Sequence, residues 1–276
     1  MNPQYQFLIA AVMLVVLSIM FAKWRKRRRR AHIFNLKTPD QWVTMIREQV
    51  AIYDFLPEHL QQELLGHVNV FLSEKYFSGH AGLEVTDEMR VTIAAQACLL
   101  LLNRKTNYYP HLKTIMIYPA GFKNPNHEGP GHHLGESWVR GPVVLSWADS
   151  QHGAANASDG TNVVIHEFAH QLDQADGAGD GRPILDSSQL RTWGKVMSKE
   201  YQFLTTRARL RNRSFFDHYG ATNPAEFFAV ITEHFFEQPR TFQRKHPDLY
   251  QTLSRYFKLD PASWLKRQPP VDKRKK

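Results

Sequence analysis

Asn162-Val163-Val164-Ile165-His166-Glu167-Phe168-Ala169-His170-Gln171-Leu172-Asp173 sets an HExxH pattern inside a stretch whose apolar residues suit a buried helix. Residues four apart share a helix face, so His166 and His170 can each aim an imidazole nitrogen at one metal about 2 Å away. Glu167, displaced by one position, reaches a water activated by the metal rather than the metal itself, which suits a general base. Val163, Val164, Ile165, Phe168, Ala169 and Leu172 make the helix apolar nearly all round. Two histidines and a glutamate buried there need a partner or a cation. Asp159 or Ser158 is placed to cap the helix start. Two imidazoles, a carboxylate and an open fourth position favour Zn2+ over magnesium or calcium, one ion per chain.

A third protein ligand is required, and the residues offer several. Asp176 lies ten positions after His166, where a metzincin-type site places its third ligand. Such a site uses a glycine at position 173 and a methionine turn; the chain has Asp173, and Met197 is its one downstream methionine. The other candidates lie on residues 223–237, which open with Asn223 and Pro224 as a helix start and run strongly apolar. Glu226, Glu233 and Glu237 fall on one broad face of that helix, and spacing does not choose between Glu226 and Glu233. Glu233 and Glu237 are expected to be exposed or salt-bridged helix acids. Asp173 is expected to orient a ligand histidine or cap the helix end.

Residues 164–173, Asn223 to Ala229, Gly135-Glu136-Ser137-Trp138 and Gly141 to Trp147 together resemble the MtfA peptidase family, as do Thr86 to Arg90 and the following Ile93 to Cys98. The similarity runs in order over roughly residues 33–265. It implies a zincin-like domain with a catalytic core similar to that of anthrax lethal factor, and zinc-dependent peptidase activity, aminopeptidase in type, on a peptide or protein substrate. It also implies Glu226 as third ligand. Tyr219 becomes the residue whose phenol hydrogen-bonds the developing oxyanion, a kind of contact that can be worth a few kcal/mol. The family name, taken from titration of the repressor Mlc, further implies a regulatory, repressor-like protein partner.

The chain has 276 residues, 42% of them hydrophobic, enough for one catalytic domain with a sizeable core. Its formal charge of +9 is concentrated: Lys23 to Arg30 carries seven positive charges and residues 266–276 a net of five, which leaves the rest at −3. The body is therefore slightly acidic and offers no nucleic-acid groove. From Tyr5 to Ala22 the chain is uncharged and almost wholly apolar, long enough for one transmembrane helix. The positive charge follows this stretch, unlike a cleaved signal peptide, and places its flank in the cytoplasm. The enterobacterial members associated with the family are soluble, so an anchor is a departure. Cys98 is the only cysteine and reads as a packed thiol, which permits a reducing compartment.

The expected organisation is thus a transmembrane anchor at 1–22, a basic juxtamembrane segment at 23–32, a peptidase domain at 33–265 and a basic tail at 266–276. It belongs at the bacterial inner membrane, single-pass, with the catalytic domain facing the cytoplasm. The domain is α+β, mainly helical with a small mixed sheet. Helical periods cover about 40–52, 57–71, 86–102, 188–204, 225–236 and 248–256; strands fall at 112–118 and 141–147. The strand at 141–147 is either a core strand or an edge that pairs with an extended peptide. His127, His132 and His133 lie in a Gly/Pro-rich loop and read as solvated, while His152 and His218 are expected near the site without binding metal.

Overall fold

A computed structural model describes residues 3–121, 135–137 and 141–264, and of residues 3, 5–10 and 135–137 the backbone only. The 124–133 loop and the 266–276 tail lie outside the described residues. Along the chain run α1 (Pro3–Phe34), α2 (Asp40–Gln49), α3 (Glu58–Glu74), β1 (Tyr76–Gly79), α4 (Asp87–Leu99), β2 (Thr114–Tyr118), β3 (Gly135–Ser137) and β4 (Val143–Ser146). They are followed by α5 (Trp147–Ala155), α6 (Val163–Asp173), α7 (Leu190–Arg209), α8 (Pro224–Glu237), α9 (Pro239–Lys245), α10 (Pro247–Phe257) and α11 (Pro261–Trp264). The α+β, mainly helical expectation holds.

The sheet order is β1-β2-β4-β3, with β1, β2 and β4 parallel and β3 antiparallel to β4. Of the two readings of residues 141–147, the core strand holds: β4 is flanked on both sides and all four of its residues are buried. Its run Val143-Val144-Leu145-Ser146 lacks the alternation of a half-solvated strand, as a two-sided strand should. Ser146 ends it and caps α5, accepting from the Asp149 amide at 3.3 Å, so Trp147 is helical rather than extended. The edge beside the metal helix is β3, which packs against α6.

The core gathers α3, α4 and the buried side of α6. Phe168 is fully buried and meets Phe71 at 5.7 Å and Tyr109 at 4.8 Å between ring centroids. Burying one such ring stabilises the fold by roughly 1.5–3 kcal/mol. Thr86 caps α4, and Cys98 is fully buried there, its thiol pushed up by burial.

The helix that opens the chain continues without a break through the basic segment and docks on the domain. Arg29 and Arg30 each reach Glu74 at 2.7 Å. Arg30 also donates to the Asn107 carbonyl at 3.1 Å and lies 4.8 Å from the Tyr108 ring centroid. Burial would raise the Glu74 pKa, but the hydrogen bond and charge of Arg30, followed by Arg29, bring it down to about 2. Phe34 closes the contact edge-on against His67, 5.1 Å between centroids. The boundary drawn at residue 33 thus falls inside α1. Among the described residues no helix is long and apolar enough to cross a membrane; the side chains of residues 5–10, part of the uncharged stretch, are outside that set.

Candidate metal centre

Two facing helices build the centre. α6 begins at Asn162, whose side-chain oxygen accepts from the Ile165 amide at 2.9 Å, so the cap is Asn162 and not Asp159 or Ser158. The alternatives are drawn into the preceding turn instead: Asp159 accepts from the Thr161 amide and Ser158 donates to Asn156. α8 begins as its sequence suggests, with Asn223 accepting from the Glu226 amide at 2.9 Å and Pro224 in its first turn. α6 and α8 pack along each other, so one face of each meets the other.

At that seam His166 Nε2 stands 3.0 Å from Glu226 Oε2 and 3.2 Å from His170 Nε2, and His170 Nε2 stands 3.4 Å from the same Glu226 oxygen. These edges match a tetrahedral zinc site, because bonds of 2.0–2.1 Å place neighbouring ligand atoms about 3.3 Å apart. His166, His170 and Glu226 are the group of potential ligands that converges among the described residues. Asp176 is exposed and outside the converging group, its carboxylate accepting from the Ala178 amide at 3.0 Å.

Glu233 is not exposed, one of the two states expected of it; its partner is His166, in the centre itself. It is 5% exposed, and Oε1 accepts from His166 Nδ1 at 2.7 Å while Oε2 accepts from the Asn162 amide at 2.6 Å. A carboxylate only accepts, so in a neutral ring the proton sits on Nδ1 and the Nε2 lone pair faces the centre. Glu237 is likewise buried, accepting from the Gly160 amide and from Asn162 Nδ2. Burial, opposed by the Asn162 hydrogen bond and reinforced by the charge of Glu233, pushes its pKa up to about 9. Asn162 Nδ2 also donates to Gln96 Oε1 and the Gly153 carbonyl, tying the start of α6 into the core. No spacing rule finds this network; the seven-residue step from Glu226 to Glu233, two helical turns, was the available signal.

Glu167 is 4% exposed and its Oε2 is buried without a hydrogen-bond partner. Burial raises its pKa to about 7 against the lowering influence of His166 and His170. Burial also works to lower the His166 pKa and raise that of Glu226. The Glu233 charge and the two carboxylate hydrogen bonds hold the imidazole well above its usual value, and the histidine hydrogen bonds bring Glu226 down to about 2.

Tyr219 lies in a single 3₁₀ turn, residues 218–221, packed against α7 and α8. Asp217 fixes the turn by accepting from the Tyr219 amide at 2.7 Å. The ring is half-exposed and its centroid lies 6.0 Å from that of His166. Burial first, then the charges of Glu226 and Glu167, push its phenol up to about 12, so it stays a hydrogen-bond donor. His218 is exposed, and His152 is exposed 3.4 Å from Asp159, neither among the converging ligands. Asp173 neither caps α6 nor carries a described bond to a ligand histidine; Oδ2 accepts from the Gly181 amide at 2.9 Å and pins the loop after the helix. Burial above all raises its pKa to about 6.

The model of the glucose-regulated metallo-peptidase M90 family matches residues 21–258. The chain belongs to that family. Its relatives include an uncharacterised Synechocystis protein, 37% identical over 86% of this chain and 89% of the relative. Mlc titration factor A of Serratia proteamaculans is 30% identical over 86% of this chain and 94% of the relative. The factor of the same name from Yersinia pestis is 30% identical over 77% and 82%. The resemblance to the MtfA family is thereby established, and with it a metallopeptidase-like protein with a His-His-Glu candidate site.

Proposed function

We propose that this chain is a zinc-dependent metallopeptidase, aminopeptidase in type, held by residues 5–22 in the bacterial inner membrane with its catalytic domain in the cytoplasm. The observation that carries the catalytic reading is the convergence of His166 Nε2, His170 Nε2 and Glu226 Oε2 at 3.0–3.4 Å beside the buried, partnerless Glu167 oxygen. Zinc held there would supply Lewis acidity, making a peptide carbonyl more electrophilic and water more acidic. Glu167 takes the proton of the attacking water and delivers it to the leaving amine. Tyr219 donates a hydrogen bond to the carbonyl oxygen as it gains charge. Glu233 holds the His166 ring in place. The substrate backbone pairs with β3, the edge strand beside α6, rather than with β4. The anchor reading rests on the uncharged run from Tyr5 to Ala22, followed at once by seven positive charges.

The test is hydrolysis of N-terminally free and blocked chromogenic peptides by the full chain in detergent, comparing wild type, chelated wild type and Glu167→Gln. Activity lost in both controls supports the peptidase, and a preference for free N-termini supports the aminopeptidase assignment. Cleavage of blocked peptides alone makes it an endopeptidase.

The name shared by two relatives, Mlc titration factor A, favours a second reading: a regulator that captures a cytoplasmic partner such as a transcriptional repressor with little turnover. Wild type no more active than Glu167→Gln, with one zinc bound per chain, would select it.

A further inference from the structure

Beside the C-terminal half of α6, a cleft of 530 Å³ opens between the loop after α4, the loop before α7 and the end of α10. None of His166, His170, Glu226 or Glu167 lines it, and the centre described above makes no use of it. Its charge is one-sided: Arg104, Lys105 and Lys258 line it against the single acid Asp186, and none of the three cations forms an ion pair among the described residues. The Arg104 guanidinium lies 4.1 Å from the Tyr256 ring centroid and 5.6 Å from that of Phe257, a stacking that fixes its direction. Its Nη1 is buried without any acceptor. The same guanidinium hydrogen-bonds the Tyr256 phenol, so the side chain is held as part of the cleft wall. The remaining wall is mixed, with Thr106, Asn107, Gln171 and Gln189 on it and an open apolar stretch where Ile184, 60% exposed, lies beside Leu185.

The geometry points to a binding site for a small amphiphilic anion, a phosphate monoester or carboxylate joined to an apolar or aromatic body. The anionic group meets Lys105 and Lys258 beside the cleft-lining Arg104; the apolar body lies against Ile184 and Leu185. Planar, forked recognition by a stacked arginine suits such oxyanions. The volume falls in the range of small-molecule sites, roughly 300–1,000 Å³, which selects a small molecule over an extended chain. A bound molecule would touch Gln171 and Leu172, the residues directly after His170 on the metal helix. This site stands independently of the peptidase reading.

The test uses the full chain in neutral detergent, stripped of metal so that an anion cannot bind a cation at the histidines. Phenyl phosphate is titrated calorimetrically, with benzyl alcohol as the uncharged control. Saturable binding of phenyl phosphate is expected, weakened about tenfold or more by Arg104→Gln and by Lys258→Gln, with no saturable binding of benzyl alcohol. Lys258 is exposed, so its substitution reports on the ligand even where Arg104→Gln disturbs the packing on Tyr256. Absence of saturable binding below about 10 mM, binding unchanged in Lys258→Gln, or equal binding of benzyl alcohol would overturn the assignment.

Discussion

Glu233 Oε1 accepts a hydrogen bond from His166 Nδ1 at 2.7 Å, on the opposite side of the ring from the nitrogen that faces Glu226. One imidazole is thus held at both ends by α8, and in the proposed zinc site the two carboxylates would have different work: Glu226 would complete the donor set, Glu233 would set the ring's tautomer and direction. Partners of this kind typically contribute 10–100-fold to metal affinity. Glu233→Gln is expected to weaken zinc binding by about that factor, read by competition with a chromophoric chelator, while Glu226→Ala loses more. Zinc content unchanged in Glu226→Ala would remove that residue from the donor set.

Tyr219 is expected to act on turnover rather than on binding. Its ring is half-exposed, so its oxyanion contact should fall below that of a fully enclosed donor. Tyr219→Phe should lower kcat by about 10–100-fold with KM and zinc content little changed. Equal loss in Tyr219→Phe and in a zinc-depleted sample would point to a structural role.

Gly181 couples the two helices from outside the centre. Its φ is +81°, its amide donates to Asp173 at the end of α6, and a Cβ there would stand 2.3 Å from the Pro224 carbonyl oxygen at the start of α8. Gly181→Ala therefore combines a left-handed backbone with a backbone clash and should cost roughly 2 kcal/mol or more of stability. Thermal unfolding checks this, and a zinc affinity that falls with it would show that the α6–α8 spacing has moved. An unchanged midpoint contradicts the close approach.

Docking of α1 should depend on pH through Glu74. Its folded pKa of about 2 lies below the ordinary 4.5, so the Arg29 and Arg30 contacts stabilise fully above about 4.5 and fade as pH falls towards 2. Glu74→Gln should destabilise the protein by about 1 kcal/mol at neutral pH, the partly exposed Arg29 contact being discounted for solvent screening. The gap between wild type and variant in thermal unfolding should close as pH drops through that window. A constant gap would mean the contribution is packing rather than charge.

The sequence by itself determined the chemistry of α6 and α8. The i, i+4 spacing of His166 and His170, the offset of Glu167, and Asn223-Pro224 opening an apolar helix are local facts, set by helix periodicity and capping. Local pattern also placed α3, α4, β2 and β4 and implied that Cys98 is packed. It could not decide between Glu226 and Glu233, because seven residues is two turns and both side chains lie on one stripe. Only the packing of α8 along α6 sends one to Nε2 and the other to Nδ1. For the same reason burial of Glu233 and Glu237 was invisible: acids are normally solvated, and their partners Asn162 and Gly160 are some seventy residues away in the chain. Tertiary pairing likewise decided that β4 is internal and β3 the edge, since strand order is a non-local choice. It decided, too, that Arg29 and Arg30 leave the basic run to bind Glu74, because a charge's partner is fixed by where the helix docks and not by its neighbours in sequence.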